Sequence, residues 1–211
     1  MERAALSRMV VKVCGLTRPE DIRAAAEAGV DWLGFNLWPK SRRAQSAEQV
    51  RSLVAAMPAG TRAVGIFVDA RPEEVHAAAV HAGLHAVQLH GREAPGDWRD
   101  FPFPIIKALK VDRADALAAA EDWACEALLL DGPGPDPGGN GVPFVWEQAQ
   151  ALAARRNVLV AGGLTPENVA TAIRAVRPAG VDVAGGVESA AGIKDAERMR
   201  RFVDAARRAV S

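Results

Sequence analysis

The feature that most constrains this chain is an alternation. A short run of β-branched and apolar residues is followed by an Ala-rich segment with helix-start signals, and the pair recurs about eight times. The runs are VVKVC (10–14), DWLGFNL (31–37), AVGIFV (63–68), AVQLH (86–90), PIIKAL (104–109), EALLLD (126–131), NVLVAG (157–162) and VDVAG (181–185). Between them, Thr17 with Glu20 and Ser46 with Gln49 have the spacing of capping boxes, and Thr165 precedes Pro166 at an expected first helical position. Gly29 and Gly83 fall where helices should stop. Apolar residues at helical spacing, such as Val50, Leu53, Val54 and Met57, or Phe202, Ala206 and Val210, mark expected buried faces. Strands that alternate with helices imply parallel pairing through right-handed crossovers. An open doubly wound sheet and a closed barrel both satisfy that. About eight units of about 25 residues favour a single-domain (β/α)₈ barrel over residues 9–211, with residues 1–8 an N-terminal extension outside it.

Composition narrows the function classes. Half the chain is apolar (49%) and a quarter charged (25%), enough to bury a core in 211 residues. Lys+Arg and Asp+Glu are both 26, so no positive field is left over to hold nucleic acid or an anionic membrane. No apolar run reaches the ~18 residues of a membrane span, and the start MERAALSR lacks the apolar segment of a signal peptide. Two distant cysteines outside any CxxC spacing suit a reducing compartment, so a cytoplasmic protein with a small-molecule ligand is expected.

In such a barrel the working face is the ring of loops after the strands, which separates residues at strand exits from those at entrances. Cys125 enters its strand and reads as packing. Cys14 leaves one, where its thiolate would face the mouth with the amides of a helix start available to lower its pKa. Asp131 leaves a strand through three leucines, and an acid emerging from an apolar wall has a raised pKa. It reads equally as a cap for the loop that follows. His90 ends AVQLH, while His76, His81 and His85 lie on a helix or before a strand. A metal site needs several converging ligands, and these residues do not offer them. In the last two units, AGGLTPEN (161–168) and AGGVES (184–189) place paired glycines at consecutive strand exits, where small residues let backbone N–H groups reach an anion. The loops after strands seven and eight are the usual phosphate site of such barrels.

With those residues in view, the chain resembles the phosphoribosylanthranilate isomerase family of tryptophan biosynthesis. The likeness runs through KVCGLT, GFNLWPKSRR, VGIFVD, VQLHG, LLLDG, GGNG, AGGLTPENV and GVDVAGGVE followed by GIKD. It implies a (β/α)₈ barrel in which Cys14 and Asp131 are the paired catalysts and Arg43 lies by the anthranilate carboxylate. His90 and Asp182 fall on pocket-lining positions, and Gly162, Gly163, Ala184, Gly185 and Gly186 correspond to the phosphate loops. The implied reaction is an Amadori rearrangement without metal or organic cofactor. The implied partner is a phosphorylated small molecule, with no nucleic acid and no membrane, and a homodimer stays open. Ala184 and Gly185 stand where the family usually has serines, so backbone amides must replace two hydroxyl donors. GGNGVPFVW stands for the more usual GGTGKTFDW, and LDG for LDT or LDS. Two rival readings remain: another phosphosugar isomerase of the same barrel type, whose catalysts would be paired aspartates, and a non-catalytic barrel that binds a phosphorylated ligand.

Overall fold

The computed structural model describes residues 8–111, 119–132 and 149–210. The eight runs are eight strands, β1 (Val10–Cys14), β2 (Trp32–Asn36), β3 (Arg62–Phe67), β4 (Ala86–Leu89), β5 (Ile105–Lys110), β6 (Ala127–Asp131), β7 (Val158–Val160) and β8 (Gly180–Val183). Each pairs in parallel with the next, and β8 returns to β1 in the register Val10 opposite Gly180 and Val13 opposite Val183, so the sheet closes into a barrel. Closure removes the free strand edges, and it accounts for the β-branched runs being buried on both faces.

Helices Pro19–Glu27, Ala47–Ala55, Pro72–Ala82, Gln150–Ala153, Val169–Val176 and Ala196–Arg208 lie between or after the strands. Ser46 and Gln49 form the expected capping box: the Ser46 hydroxyl accepts from Gln49 N at 3.2 Å, and Gln49 Oε1 accepts from Ser46 N at 2.8 Å. Gly29 (φ 84°) and Gly83 (φ 69°) end their helices in the left-handed region.

Two expected starts differ. Thr17 does not cap a helix; Arg18 is the N-cap residue, and the Thr17 hydroxyl donates instead to the carbonyl of Gly192. Near Thr165 the helix opens only at Val169, because Thr165–Asn168 is occupied by a local turn. There Asn168 Oδ1 accepts from Thr165 N at 2.8 Å, and Thr165 Oγ1 accepts from Glu167 N at 3.2 Å. Side chains of this kind offer the backbone an alternative to the helix. The alternation also breaks between β4 and β5, where a single 3₁₀ turn, Pro95–Trp98, replaces a helix. Pro95, Gly96, Pro102 and Pro104 leave no uninterrupted stretch for one. Aromatic side chains cover the barrel there instead: Trp98 and Phe101 rings are 4.9 Å apart, and Phe103 lies 5.9 Å from His76 of the neighbouring helix. Val210, expected on a buried face, lies past its helix and is exposed.

The core has two parts, as a barrel requires. Outward strand residues such as Val11, Val13, Leu128 and Leu130 pack under helix residues Ile22, Val50, Val75, Ile173 and Phe202. Inward residues alternate with them. Val10, Trp32, Val64, Ala86, Ile106, Ala127, Leu129 and Leu159 belong to a separate inner cluster. The inward positions change character towards the strand exits. On β1 they run Val10, Lys12, Cys14; on β6 Ala127, Leu129, Asp131; on β4 Ala86, Gln88, with His90 beyond. An apolar floor under a polar mouth is the outcome.

Candidate active site

A cavity of about 510 Å³ opens at the mouth. Cys14, Arg43, His90, Asp131, Gly162, Gly163, Asp182, Ala184, Gly185 and Gly186 all line it, together with Asn36, Trp38 and Gln88. Every site residue expected from the sequence is therefore at one place, although they come from six different strand exits. The segment 133–148, which includes GGNG and the altered VPFVW, lies outside the described residues.

Cys14 closes β1 and is half-buried. The expectation that helix-start amides lower its pKa fails. The next two N–H groups, of Gly15 and Leu16, both donate to the Gly34 carbonyl at 2.9 and 3.0 Å, and the helix itself opens on Pro19, which has no N–H. Burial pushes the thiol above its ordinary value. Lys12 pulls it down and Asp182 pushes it up, with further downward pulls from Lys194 and Arg43, and the net direction is upward. Cys125, the residue read as packing, has its thiol pushed up by burial as well and sits 3.6 Å from an Arg156 nitrogen.

Asp131 ends β6 with 2% exposure. Gly132 N donates to its Oδ1 at 2.9 Å, and its Oδ2 lies 3.4 Å from His90 Nε2. Among the described residues neither Oδ2 nor that Nε2 has a hydrogen-bond partner of good geometry. On its other side the His90 ring meets Gln88, Nδ1 to Nε2 at 3.2 Å. The loop carrying His90 is fastened from β5: buried Lys107 donates to Gly91 O at 2.8 Å and to Glu93 Oε2 at 2.6 Å, and Glu93 accepts from Gly91 N at 3.0 Å.

The glycine loops show why small residues stand there. At Gly162, φ is +77° and a Cβ would run into the Gly132 backbone and come within 3.0 Å of Asp131 Oδ1. At Gly186 a Cβ would strike the carbonyl of Leu164, so the two loops interlock. Asn168 Nδ2 holds the first loop by donating to Gly163 O at 2.9 Å. The N–H groups of Gly162 and Gly163 donate to no group among the described residues, which leaves them for an anion.

Arg43 is engaged within the protein. It donates from Nε to Glu188 Oε1 at 2.7 Å and from Nη2 to Oε2 at 2.6 Å, which with the Glu188 charge raises its pKa further. Glu188 and its second partner Lys194 lie in the motifs GGVES and GIKD, to which the sequence attached no role for them. Lys12 is another residue the motif reading passed over. Its side chain is wholly buried in the barrel and donates to Asp182 Oδ1 at 2.9 Å. A lysine at alternate spacing from Cys14 in an apolar strand was a readable sign that it points inward. Among the described residues no three His, Cys, Asp or Glu side chains are grouped as metal ligands would be, and no helix is long and apolar enough to cross a membrane.

Comparison with known proteins bears on the fold and the family. Residues 11–205 match the family model for N-(5'phosphoribosyl)anthranilate (PRA) isomerase. The N-(5'-phosphoribosyl)anthranilate isomerase of Myxococcus xanthus is 48% identical over 202 residues, covering 93% of this chain and 95% of that protein. Among solved structures, phosphoribosyl anthranilate isomerase from Thermotoga maritima superposes with a TM-score of 0.89 at 37% identity, covering 94% of this chain and 98% of that one. A phosphoribosyl anthranilate isomerase in complex with reduced 1-(o-carboxyphenylamino)-1-deoxyribulose 5-phosphate gives 0.86 at 35% identity, over 94% and 98% of the two chains. A family match over nearly the whole length, a relative 48% identical and a shared fold lead to one conclusion: the chain belongs to the N-(5'-phosphoribosyl)anthranilate isomerase family.

Proposed function

We propose that this protein catalyses the Amadori rearrangement of N-(5-phosphoribosyl)anthranilate to 1-(2-carboxyphenylamino)-1-deoxyribulose 5-phosphate, with Asp131 as general acid and Cys14 as general base. The observation that carries the assignment is the placement of these two groups. They end β1 and β6, well apart around the ring, and face one cavity, so each can reach a bound sugar from its own side. Asp131 Oδ2, buried and without a donor of good geometry, is the oxygen suited to carry the proton.

The chemistry follows from those positions. Asp131 donates its proton to the ribose ring oxygen; the C1′–O bond breaks and leaves an iminium at C1′. That cation acidifies the C2′ hydrogen, which Cys14 removes as its thiolate, the form that Lys12 favours against burial, giving an enolamine. Ketonisation adds a proton at C1′ and releases one from the C2′ hydroxyl, so the protons balance and both side chains return to their starting states. An internal redox exchange of this kind needs an acid and a base only. Arg43 serves the anthranilate carboxylate, the free amides of Gly162 and Gly163 with the loop Ala184–Gly186 serve the phosphate, and His90 and Asp182 line the sugar site.

A complex of a family member with a reduced form of the product supports a phosphorylated small molecule as ligand. Both cysteines are free thiols, in keeping with work in the cytoplasm. The test is an assay with freshly prepared phosphoribosylanthranilate, following the loss of anthranilate fluorescence. Turnover well above the spontaneous rate is expected, and ligand binding without turnover would favour the non-catalytic barrel.

A further inference from the structure

Behind Arg43 stands a network that the proposed chemistry does not itself require. Glu188 Oε1 accepts three donors, Arg43 Nε at 2.7 Å, Lys194 Nζ at 2.8 Å and Gly192 N at 3.2 Å, while Oε2 accepts Arg43 Nη2 at 2.6 Å. Lys194 is wholly buried in its side chain. Its ammonium also donates to Cys14 O at 2.6 Å and to Ala184 O at 3.1 Å, so all three N–H bonds are spoken for. Glu188 is thus anchored at once to the exit of β1, the exit of β8 and the antiparallel pair of short strands Glu188–Ala190 and Ile193–Lys194.

A guanidinium has two edges that can each hold a carboxylate through paired N–H bonds, one made of Nε and an Nη, the other of Nη1 and Nη2. Glu188 takes the first. Nη1 donates to no group among the described residues, and Arg43 lines the cavity with 18% of its side chain exposed. The stem packs against Gly15, just past β1, where an added Cβ would lie 2.3 Å from Arg43 Cδ. Within the group Arg43, Lys194 and Glu188 one positive charge is left over.

Resting on the reading of Arg43 as carboxylate receptor, we infer that Glu188 is a positioning residue for substrate recognition, gripping the Nε edge of Arg43 so that the Nη1/Nη2 edge receives the anthranilate carboxylate end-on. The opposite arrangement, in which Glu188 occupies Arg43 until the substrate displaces it, makes the opposite forecast for binding.

The experiment compares two competitive inhibitors, the reduced product with its ortho-carboxylate and the same compound with a plain phenylamino group. In the wild type the carboxylate compound binds more tightly. Glu188→Gln is expected to weaken it at least tenfold and to leave the phenylamino compound within twofold. Equal weakening of both compounds would reduce Glu188 to a structural brace and overturn the inference. Tighter binding of the carboxylate compound would make Glu188 a competitor, which also overturns it. Arg43→Gln separates the two claims. If it keeps the discrimination, the reading of Arg43 fails; if it abolishes the discrimination while Glu188→Gln does not, the positioning inference alone fails. Should Glu188→Gln not fold, Glu188→Gln with Lys194→Met removes the orphaned ammonium and carries the same measurement.

Discussion

The Lys12 ammonium sits 2.9 Å from Asp182 Oδ1, wholly buried in the barrel and one inward position below Cys14. Gly34 on β2 faces both: a Cβ there would be 3.2 Å from Cys14 Sγ and 3.2 Å from Lys12 Nζ. Burial pushes the lysine pKa down, but Asp182 and Cys14 outweigh it, and the net direction is up. Buried ion pairs are weak sources of stability, and well-packed apolar residues of similar volume often hold a fold as well. The placement has a clearer use as a cation held beneath the thiol proposed to ionise.

The first prediction concerns that thiol. In a Cys125→Ala background, thiolate absorbance should report Cys14 alone, titrating above the ordinary thiol value because burial disfavours the anion. Lys12→Met removes a cation and should move the titration further up; Asp182→Asn removes an anion and should move it down. Shifts in the same direction for both variants would show that Cys14 responds to packing rather than to these charges. Either single change leaves a buried partner uncompensated, at about 3–5 kcal/mol, so the titrations belong at low temperature.

Cys14→Ser and Asp131→Asn should each lower kcat by about 10²–10⁴-fold, the range that general acid–base groups supply. Both changes nearly conserve volume, and the carboxamide of Asp131→Asn would still offer an oxygen to Gly132 N, so melting temperatures should stay close to wild type. If Cys14→Ser keeps more than about a tenth of wild-type kcat, the thiol is not the base.

The glycine loops give a paired prediction. A Cβ on Gly185 meets nothing nearer than 3.8 Å, so Gly185→Ser should fold normally. Its added hydroxyl should tighten inorganic phosphate, measured as a competitive inhibitor, about fivefold, near 1 kcal/mol. Gly162→Ala should do the reverse. It combines a positive φ with a clash against Gly132, and should cost both stability and kcat, since the loop it displaces adjoins Asp131. A benign Gly162→Ala would mean that the close approach of this loop to Gly132 and Asp131 is not needed for the site.

Much of this was legible in the sequence because barrel strands are local objects. VVKVC or EALLLD declares itself through β-branched and apolar residues, and the exit rule then points to Cys14 and Asp131 without any knowledge of their neighbours. Lys12 was legible too, by its spacing from Cys14. Other features depend on contacts between distant segments. Glu188 meets Arg43 across 145 positions, and Thr17 reaches the carbonyl of Gly192 across 175, which costs it the capping role its spacing suggested. The amides after Cys14 were expected to favour its thiolate, yet pairing with Gly34 consumes them. The helix expected to open at Pro166 opens instead at Val169, because Asn168 turns back onto Thr165.

Removal of residues 1–8 should leave turnover unchanged and lower stability by less than about 1 kcal/mol. Arg8 pairs with Asp31 at the barrel floor, but its side chain is 68% exposed. Asp31 keeps its bonds from Val11 N at 2.7 Å and Arg207 Nη2 at 2.6 Å. A drop of several degrees in melting temperature, seen by calorimetry, would show that the segment packs on the floor.

The acid stability of the protein should depend on Glu188. Burial pushes its carboxyl up, but hydrogen bonds from Arg43 and the charge and bond of Lys194 outweigh this, and its pKa in the folded protein is below the ordinary value. The unfolded chain has about 4.3 for such a group, so the folded state binds its proton less readily. The stabilisation is therefore complete above the unfolded value and is lost as pH falls through the folded one. Glu188→Gln carries no charge at any pH and leaves Arg43 and Lys194 uncompensated. Wild type should exceed it in melting temperature by a constant margin above about pH 5, the margin should shrink below about pH 4, and it should vanish once wild-type Glu188 is itself neutral. Thermal unfolding of the two proteins across that range is the measurement. A margin that does not change with pH would mean that Glu188 stabilises by shape and hydrogen bonding alone, with no contribution from its charge.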